Sequence, residues 1–432
     1  MDTAQKEAFK ITGFTGEKKL SGVIKVNGAK NAVLQAFAFC VLFKDEVVLK
    51  NVPEISDVFN MIKILQDMGA TVVHKSRGVF SVKMGKKVST SLSEEISKKF
   101  RASIVLTGPV LARYGEVSFP HPGGCVIGSR PIDIFLDGFQ KLGAKVDENE
   151  HGYRIFSAGK KLSGANIFLK KPTVTGAQTL MMAAVLARGK TIIKNAPMEP
   201  ETKVLADFLN LCGAKIKGAG TSVIEVIGTG PLSAKGKIFK TPPDRIEAGS
   251  FLILGALCAK KLEIANCDPS DIEALTETLL SCGVKLECSK NKIVVWNDGN
   301  EFITTDIKTH EYPGFPTDLQ APMVVFLTQA KGESLVFETI FEGRLNYVTE
   351  LARMGADIRL WDPHRATVKG PTLLRGREME SPDIRAGLAF IIAAILGNGE
   401  SIVHNINYVD RGYEKIEERL RNIGVDIVRI KV

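Results

Sequence analysis

The sequence predicts an α/β protein built from six similar α+β repeats of about 70 residues, grouped as two domains of three. Three observations carry that prediction. Gly69, Gly143, Gly213, Gly283, Gly355 and Gly424 share one pattern, apolar-Gly-Ala/Val-x-apolar, at steps of 74, 70, 70, 72 and 69 residues. Each closes an amphipathic stretch and opens a short apolar one, and a glycine just past a helix accepts the left-handed conformation that ends it. The earlier half of each repeat holds a very apolar helical run. A period this long exceeds the roughly 20–50 residues of solenoid repeats yet suffices for a small subdomain. A chain of 432 residues has room for two or three domains. Three repeats plus three is the simplest division, with an active site where repeats converge.

The first repeat opens with Ala32–Leu42, apolar enough on all sides to be a buried helix. The strand Val47–Leu49 follows, and Thr71-Val72-Val73 starts another after the glycine. In the second, Ala102–Leu111 contains Gly108-Pro109, which predicts a kinked or broken helix, and Lys145-Val146 starts the strand. The third reads Met181–Leu186, Thr191–Ile193 and Lys215-Ile216; the fourth reads Phe251–Leu257, Leu262–Ile264 and Lys285-Leu286. Met323–Leu327, Leu335–Phe337 and Asp357-Ile358 make the fifth, and Leu388–Ile395, Ser401–Val403 and Asp426-Ile427 the sixth. The later helix of each repeat, such as Glu414–Arg421, is amphipathic and belongs outside.

Hydrophobic residues make up 44% and charged residues 24% of the chain, the balance of an ordinary globular protein. The opening Met1-Asp2-Thr3-Ala4-Gln5-Lys6 has no basic-then-apolar signal pattern. Apolar runs such as Ala386–Leu396 fall short of the roughly 18–20 residues that span a bilayer, so a cytoplasmic protein with no membrane partner is expected. The net charge of +9 is not gathered into a Lys/Arg block interleaved with aromatics, so nucleic acid is not the expected partner. A solvated basic surface and a funnel for small anionic substrates both fit it. The seven cysteines include no Cys-x-x-Cys pair or Cys/His cluster, so no metal is expected. Cys40, Cys258, Cys212 and Cys282 read as core positions, Cys267 and Cys288 have no distinguishing neighbours, and Cys125 stands apart.

Lys30, Arg101, Arg245 and Arg385 stand at or near the first turns of apolar helices, where the helix dipole disfavours a cation. Arg130, Arg344 and Arg411 precede amphipathic helices at similar spacings. Any one could be a cap or a salt-bridge partner; their recurrence at equivalent repeat positions points to bound phosphate and carboxylate. In Pro122-Gly123-Gly124-Cys125-Val126-Ile127-Gly128-Ser129-Arg130-Pro131, glycines permit close backbone approach, and a helix is expected to start at Pro131. Cys125 is either a small loop residue or a thiol whose thiolate is favoured by nearby positive charge. Asp318, in Phe315-Pro316-Thr317-Asp318-Leu319-Gln320, either caps the next helix together with Thr317 or acts as a general base. In the second case neighbouring arginines would weaken it and a bound phosphate dianion would restore it.

Gly28-Ala29-Lys30-Asn31-Ala32, the Pro-Gly-Gly-Cys loop running into Arg-Pro-Ile-Asp, Phe315–Gln320 and Asp410-Arg411-Gly412-Tyr413-Glu414 strongly resemble the enolpyruvyl transferases. The resemblance runs from about Thr12 to Ile430. It implies an inside-out α/β barrel of two domains, 30–241 with the Cys125 loop, and 1–29 plus 242–432 with Asp318 and Arg411. It further implies transfer of the enolpyruvyl group of phosphoenolpyruvate to the 3′-hydroxyl of UDP-N-acetylglucosamine, early in peptidoglycan synthesis, with no metal or cofactor. Under that resemblance Cys125 protonates the methylene carbon and Asp318 takes the hydroxyl proton. Lys30, Arg130 and Arg411 hold the phosphate, with Asn31 beside them, and Arg344 and Arg385 hold the carboxylate. Asn31, Arg101, Arg130, Pro131, Ile132, Asp133, Ile134, Lys171, Pro172, Thr173, Val174, Asp318 and Ile340 line the UDP-sugar site. One segment departs from the family pattern Ser-Val-Gly-Ala-Thr-Glu-Asn. Here it reads Thr173-Val174-Thr175-Gly176-Ala177-Gln178-Thr179, with a glycine displaced and the acid lost. The shikimate-pathway branch lacks the loop cysteine. RNA 3′-phosphate cyclases, which share a related repeat, need a loop histidine that this sequence does not offer. A catalytically dead UDP-sugar sensor is opposed by the joint retention of Lys30, Cys125, Asp318 and Arg411.

Overall fold

The computed structural model describes residues 6–15, 17–121, 128 and 131–432. Two compact units emerge, one built chiefly from Met1–Asn27 and Pro243–Val432, the other from Gly28–Gly124 and Arg130–Pro242. Each runs three times through one plan: apolar helix, strand, outer helix, hairpin. The apolar helices are Lys30–Phe39, Thr107–Tyr114 and Val174–Val185 in the Gly28–Pro242 unit, and Arg245–Cys258, Gln320–Leu327 and Ile384–Leu396 in the other. They are buried along nearly their whole length, as helices without a polar face must be. The outer helices bury one stripe only; Ser56–Asp67 turns Val58, Met61, Ile62 and Leu65 inward. All six closing glycines have positive φ, from 88° at Gly143 to 108° at Gly355, and a strand begins within two residues of each. Among the described residues no helix is long and apolar enough to cross a membrane.

Among the described residues there are six sheets; in five of them the strand that follows an apolar helix is an inner strand, and in the second that strand, Glu116–Phe119, lies at the edge beside Gly152–Ser157. In the first, Val47–Lys50 pairs antiparallel with Val79–Met84, which pairs in turn with Ala70–Ser76. On its other side Val47–Lys50 takes a parallel edge strand, Ile238–Lys240, from the far end of the same unit. Leu20–Lys25 serves the fourth sheet in the same way, on Ala259–Ala265. The second sheet has three strands, with a single parallel bridge from Ser91 to Ser118 where the edge strand would lie. The sixth hairpin is completed from elsewhere. Glu7–Thr12 lies between Glu400–His404 and Asp426–Lys431, antiparallel to both.

One local expectation is met at a shifted position and another is corrected. The second apolar run is a 3-10 turn, Arg101–Leu106, followed by the helix Thr107–Tyr114, so the break precedes Gly108-Pro109. Pro109 falls in the first turn, where no intrahelical N–H bond is lost. Gly108 is needed for packing: a Cβ there would stand 2.2 Å from the Thr179 carbonyl oxygen of the neighbouring apolar helix. The helix expected at Pro131 starts instead at Asp133. Ile132, at φ −98° and ψ 4°, is outside the helical well, and the Asp133 carboxylate occupies the first turn, which the helix dipole favours.

Candidate active site

In the unit containing Pro243–Val432, Asp318 sits in the 3-10 turn Thr317–Leu319 that leads into Gln320–Leu327. The capping alternative fails, because neither Thr317 nor Asp318 bonds the free amides of that helix. Their oxygens have stronger partners. Thr317 Oγ1 donates to Glu338 Oε2 at 2.9 Å. Asp318 Oδ1 is paired with Arg344 Nη2, and Oδ2 accepts from Arg385 Nε at 3.1 Å and Nη2 at 3.0 Å. The arginine side chains are only 4% and 6% exposed, against 26% for Asp318, so the carboxylate is the solvent-facing member of the cluster. Burial opposes its ionisation, but the Arg385 and Arg344 guanidiniums outweigh burial and hold it well below the usual carboxylate range.

Both arginines are fixed from behind. Arg385 is the second residue of Ile384–Leu396, whose true N-cap is Asp383; its Oδ1 accepts from the Arg385 and Ala386 amides at 2.7 and 3.1 Å. Arg385 Nη1 also donates to the Tyr413 hydroxyl at 2.8 Å. Burial pushes the buried Tyr413 phenol up to about 12 despite that guanidinium, so it stays protonated. Arg344 Nη2 donates to the Thr317 carbonyl oxygen at 3.2 Å. Ile340, half-buried, donates its N–H to Glu338 Oε1 at 2.8 Å. Arg411 is the partly exposed C-cap of the turn Asn407–Asp410. That turn is anchored where Arg429 grips Asp410 with two bonds of 2.9 and 2.8 Å. Arg245 begins its helix over the Tyr312 ring, 5.5 Å from the centroid.

In the Gly28–Pro242 unit, Lys30 begins its apolar helix and is 8% exposed. Its Nζ lies 2.7 Å from Asp57 Oδ2, in the first turn of Ser56–Asp67. The ion-pair alternative is therefore realised for this cation. Asn31 beside it is exposed, and Arg101 is half-buried at the head of its 3-10 turn. Thr173 is a genuine cap, its Oγ1 accepting the Gly176 N–H at 3.3 Å. A Cβ on Gly176 would lie 3.5 Å from Ile134 Cγ2, so the starts of Asp133–Lys141 and Val174–Val185 adjoin. Lys171, Pro131 and Asp133 are exposed around them, Pro172 and Val174 are half-buried, and Ile132 is buried. Paired helix starts with exposed lysine suit an anion. Gln178, where the family pattern has an acid, points inward and donates Nε2 to Thr202 Oγ1 at 2.9 Å. Cys125 and Arg130 lie outside the described residues.

Sequence reasoning missed Tyr413, Thr317 and Glu338 as supporting residues. The first two lie inside quoted motifs, two residues from Arg411 and one from Asp318; Glu338 carries no local signal. Among the described residues no group of three or more His, Cys, Asp or Glu is placed to hold a metal ion.

A family model for EPSP synthase (3-phosphoshikimate 1-carboxyvinyltransferase) matches residues 14–420. The UDP-N-acetylglucosamine 1-carboxyvinyltransferase of Koribacter versatilis is 42% identical over 419 residues, 96% of this chain and 95% of that protein. The Campylobacter hominis protein of the same name is 40% identical over 414 residues, 96% and 98% of the two chains. Among solved structures, the enolpyruvyl transferase NikO of Streptomyces tendae superposes with a TM-score of 0.87 at 19% identity, covering 99% of this chain and 100% of that one. An EPSP synthase of Acinetobacter baumannii gives 0.75 at 17%, covering 98% and 100%. The structures speak for the fold alone; the near-complete match to sequences about 40% identical goes further. By descent as well as by architecture, the chain belongs to the enolpyruvyl transferase family, beside its UDP-N-acetylglucosamine 1-carboxyvinyltransferases.

Proposed function

We propose that the protein transfers the enolpyruvyl group of phosphoenolpyruvate to the 3′-hydroxyl of UDP-N-acetylglucosamine, releasing phosphate, as a cytoplasmic step of peptidoglycan synthesis. The observation that carries this reading is Asp318 gripped by two buried arginines in a chain so similar to named UDP-N-acetylglucosamine 1-carboxyvinyltransferases. With both oxygens engaged, Asp318 is a weak base. The carboxylate of phosphoenolpyruvate has the same chemistry and competes for Arg344 and Arg385. Its arrival releases Asp318, while the phosphate dianion, held by Lys30, Arg130 and Arg411 with Asn31 alongside, raises the aspartate's proton affinity.

Asp318 then takes the 3′-hydroxyl proton as the sugar oxygen bonds to C2 of phosphoenolpyruvate and the Cys125 thiol gives its proton to C3. The product of that addition is a tetrahedral ketal. Breaking its C2–O bond to phosphate, with loss of a proton from C3, restores the double bond in the enol ether. Arg344 and Arg385 stabilise the charge that develops. In this reading the adjoining helix starts at Asp133 and Val174, with Lys171, Pro172 and Thr173, receive the diphosphate. Arg101, Arg130, Pro131, Ile132, Ile134 and Ile340 frame the rest of the UDP-sugar. The domains, 30–241 and 1–29 plus 242–432, divide the work: the first supplies Cys125 and most of the nucleotide site, the second Asp318 and the carboxylate clamp.

Phosphate release decides the matter. It should require phosphoenolpyruvate together with UDP-N-acetylglucosamine, and shikimate 3-phosphate should not replace the sugar nucleotide. Turnover with the shikimate compound alone would overturn the assignment.

A further inference from the structure

The turn that carries Asp318 is held by a residue that the reaction itself does not call for. Glu338 follows the strand Gly332–Phe337 and has no exposed surface. A buried carboxylate is costly unless its oxygens are bonded, and here each is. Oε2 accepts from Thr317 Oγ1 at 2.9 Å; Oε1 accepts from the amides of Ile340 at 2.8 Å and Phe341 at 3.1 Å. Its backbone is pinned as well, the N–H donating to the His364 carbonyl oxygen at 2.8 Å and the carbonyl oxygen lying 2.7 Å from His364 Nδ1.

The bonds close a ring. From Glu338, one oxygen leads through Thr317 to Asp318, and Asp318 is paired with Arg344. Arg344 returns through its N–H to the Phe341 carbonyl oxygen at 3.1 Å, and Phe341 returns to the other oxygen of Glu338. Ile340 hangs from that same oxygen. A single acceptor with two oxygens thus registers the turn bearing the base against the loop bearing its arginine. An apolar side chain at 338 could bond neither segment.

We infer that Glu338 is a positioning residue which, acting through the Thr317 hydroxyl, sets Asp318 in line with the acceptor hydroxyl. This rests on the reading of Asp318 as the base. Displacements of about 1 Å can cost a hundredfold in rate, so the link is expected to show in kcat.

Thr317→Val removes the hydroxyl and keeps the shape, Thr317→Ser keeps the hydroxyl, and Thr317→Ala removes the hydroxyl without asking the turn to hold a branched side chain. Initial rates with phosphoenolpyruvate and UDP-N-acetylglucosamine, per sugar-nucleotide site counted by calorimetry, should show kcat reduced roughly tenfold or more in Thr317→Val. The KM for phosphoenolpyruvate should move less than about threefold, and Thr317→Ser should restore kcat to within about twofold. Wild-type kcat in Thr317→Val, or an equal loss in Thr317→Ser, overturns the inference. If Thr317→Val does not fold, Thr317→Ala decides: a folded variant with wild-type kcat is equally fatal. Asp318→Asn, assayed alongside, separates the two claims. Wild-type turnover there removes the base itself, whereas an inactive Asp318→Asn beside a normal Thr317→Val removes only the positioning role.

Discussion

In the proposed mechanism Asp318 is both a base and an ion-pair partner, and one substitution tests both, the first by turnover and the second by stability. Asp318→Asn keeps the size but removes the charge, and turnover should fall by roughly two or more orders of magnitude as a general base is lost. It also leaves Arg344 and Arg385 without their shared carboxylate. Breaking a buried ion pair costs roughly 3–5 kcal/mol, and the partial exposure of Asp318 places the expected loss near the lower end. The pH dependence has a definite sign. Because the folded-state pKa is lowered, the stabilisation is fully present above the unfolded value of about 3.9 and is lost as pH falls toward the folded one. Urea unfolding should show a large gap between wild type and Asp318→Asn at neutral pH and a narrower one at pH 3; a gap that does not narrow refutes the ionic account. Cys125 gives the second residue-scale test. A thiol and a carboxylic acid can both protonate carbon, but a serine hydroxyl is far too weak an acid. Cys125→Ser should therefore lose most turnover while still binding UDP-sugar, and Cys125→Asp should retain substantial activity. If the proposed role of Cys125 holds, fosfomycin, a phosphonate epoxide, should alkylate this thiol. Burial holds the Cys258 thiol at about 12 and those of Cys267 and Cys282 at about 11, so they stay unreactive at neutral pH. Mass spectrometry should place one adduct at Cys125, and an adduct at exposed Cys288 instead would make Cys125 a bystander. Asp318 was singled out in the sequence because a carboxylate ahead of an apolar helix is chemically conspicuous. Glu338 was not, because only sheet and loop geometry brings it to Thr317, 21 residues away.

The repeat glycines are the elements' most legible punctuation, yet they are not equivalent. A Cβ on Gly143 would meet nothing within 4 Å, whereas one on Gly69 would stand 2.6 Å from the Lys87 carbonyl oxygen. Gly143→Ala should therefore cost only the left-handed backbone penalty, about 1–2 kcal/mol. Gly69→Ala should cost measurably more, because backbone must move as well. Equal unfolding midpoints for the two variants would show that backbone strain alone matters. Apolar helices and the strand starts after the closing glycines were readable because their periodicities and turn residues are local. The parallel edge strands were not. Ile307–Lys308 is two residues long and Asn166–Phe168 three, too short to show alternation, and each exists only because a distant central strand offers an open edge.

At the scale of the molecule, the repeat count was legible while the exchange of strands between chain ends was not apparent from periodicity alone. Phe9 and Ile11 are fully buried, and Glu7 is tied to Arg429 at 2.9 Å. Removing residues 1–13 should open the sixth sheet and destabilise the Pro243–Val432 unit while leaving the Gly28–Pro242 unit protected. Hydrogen exchange resolved along the chain would show this, and unchanged protection of Glu400–His404 would contradict it. The same strand also constrains how the protein is made. Phe9 pairs with Val403, so roughly 390 residues must be added between the first partner and the second. At about 5–20 residues per second, the strand waits some 20–80 s on the ribosome with its apolar edge unmatched. A segment synthesised so long before its partner is thus among the last to find its place, and the nascent chain must be kept from pairing it with anything else.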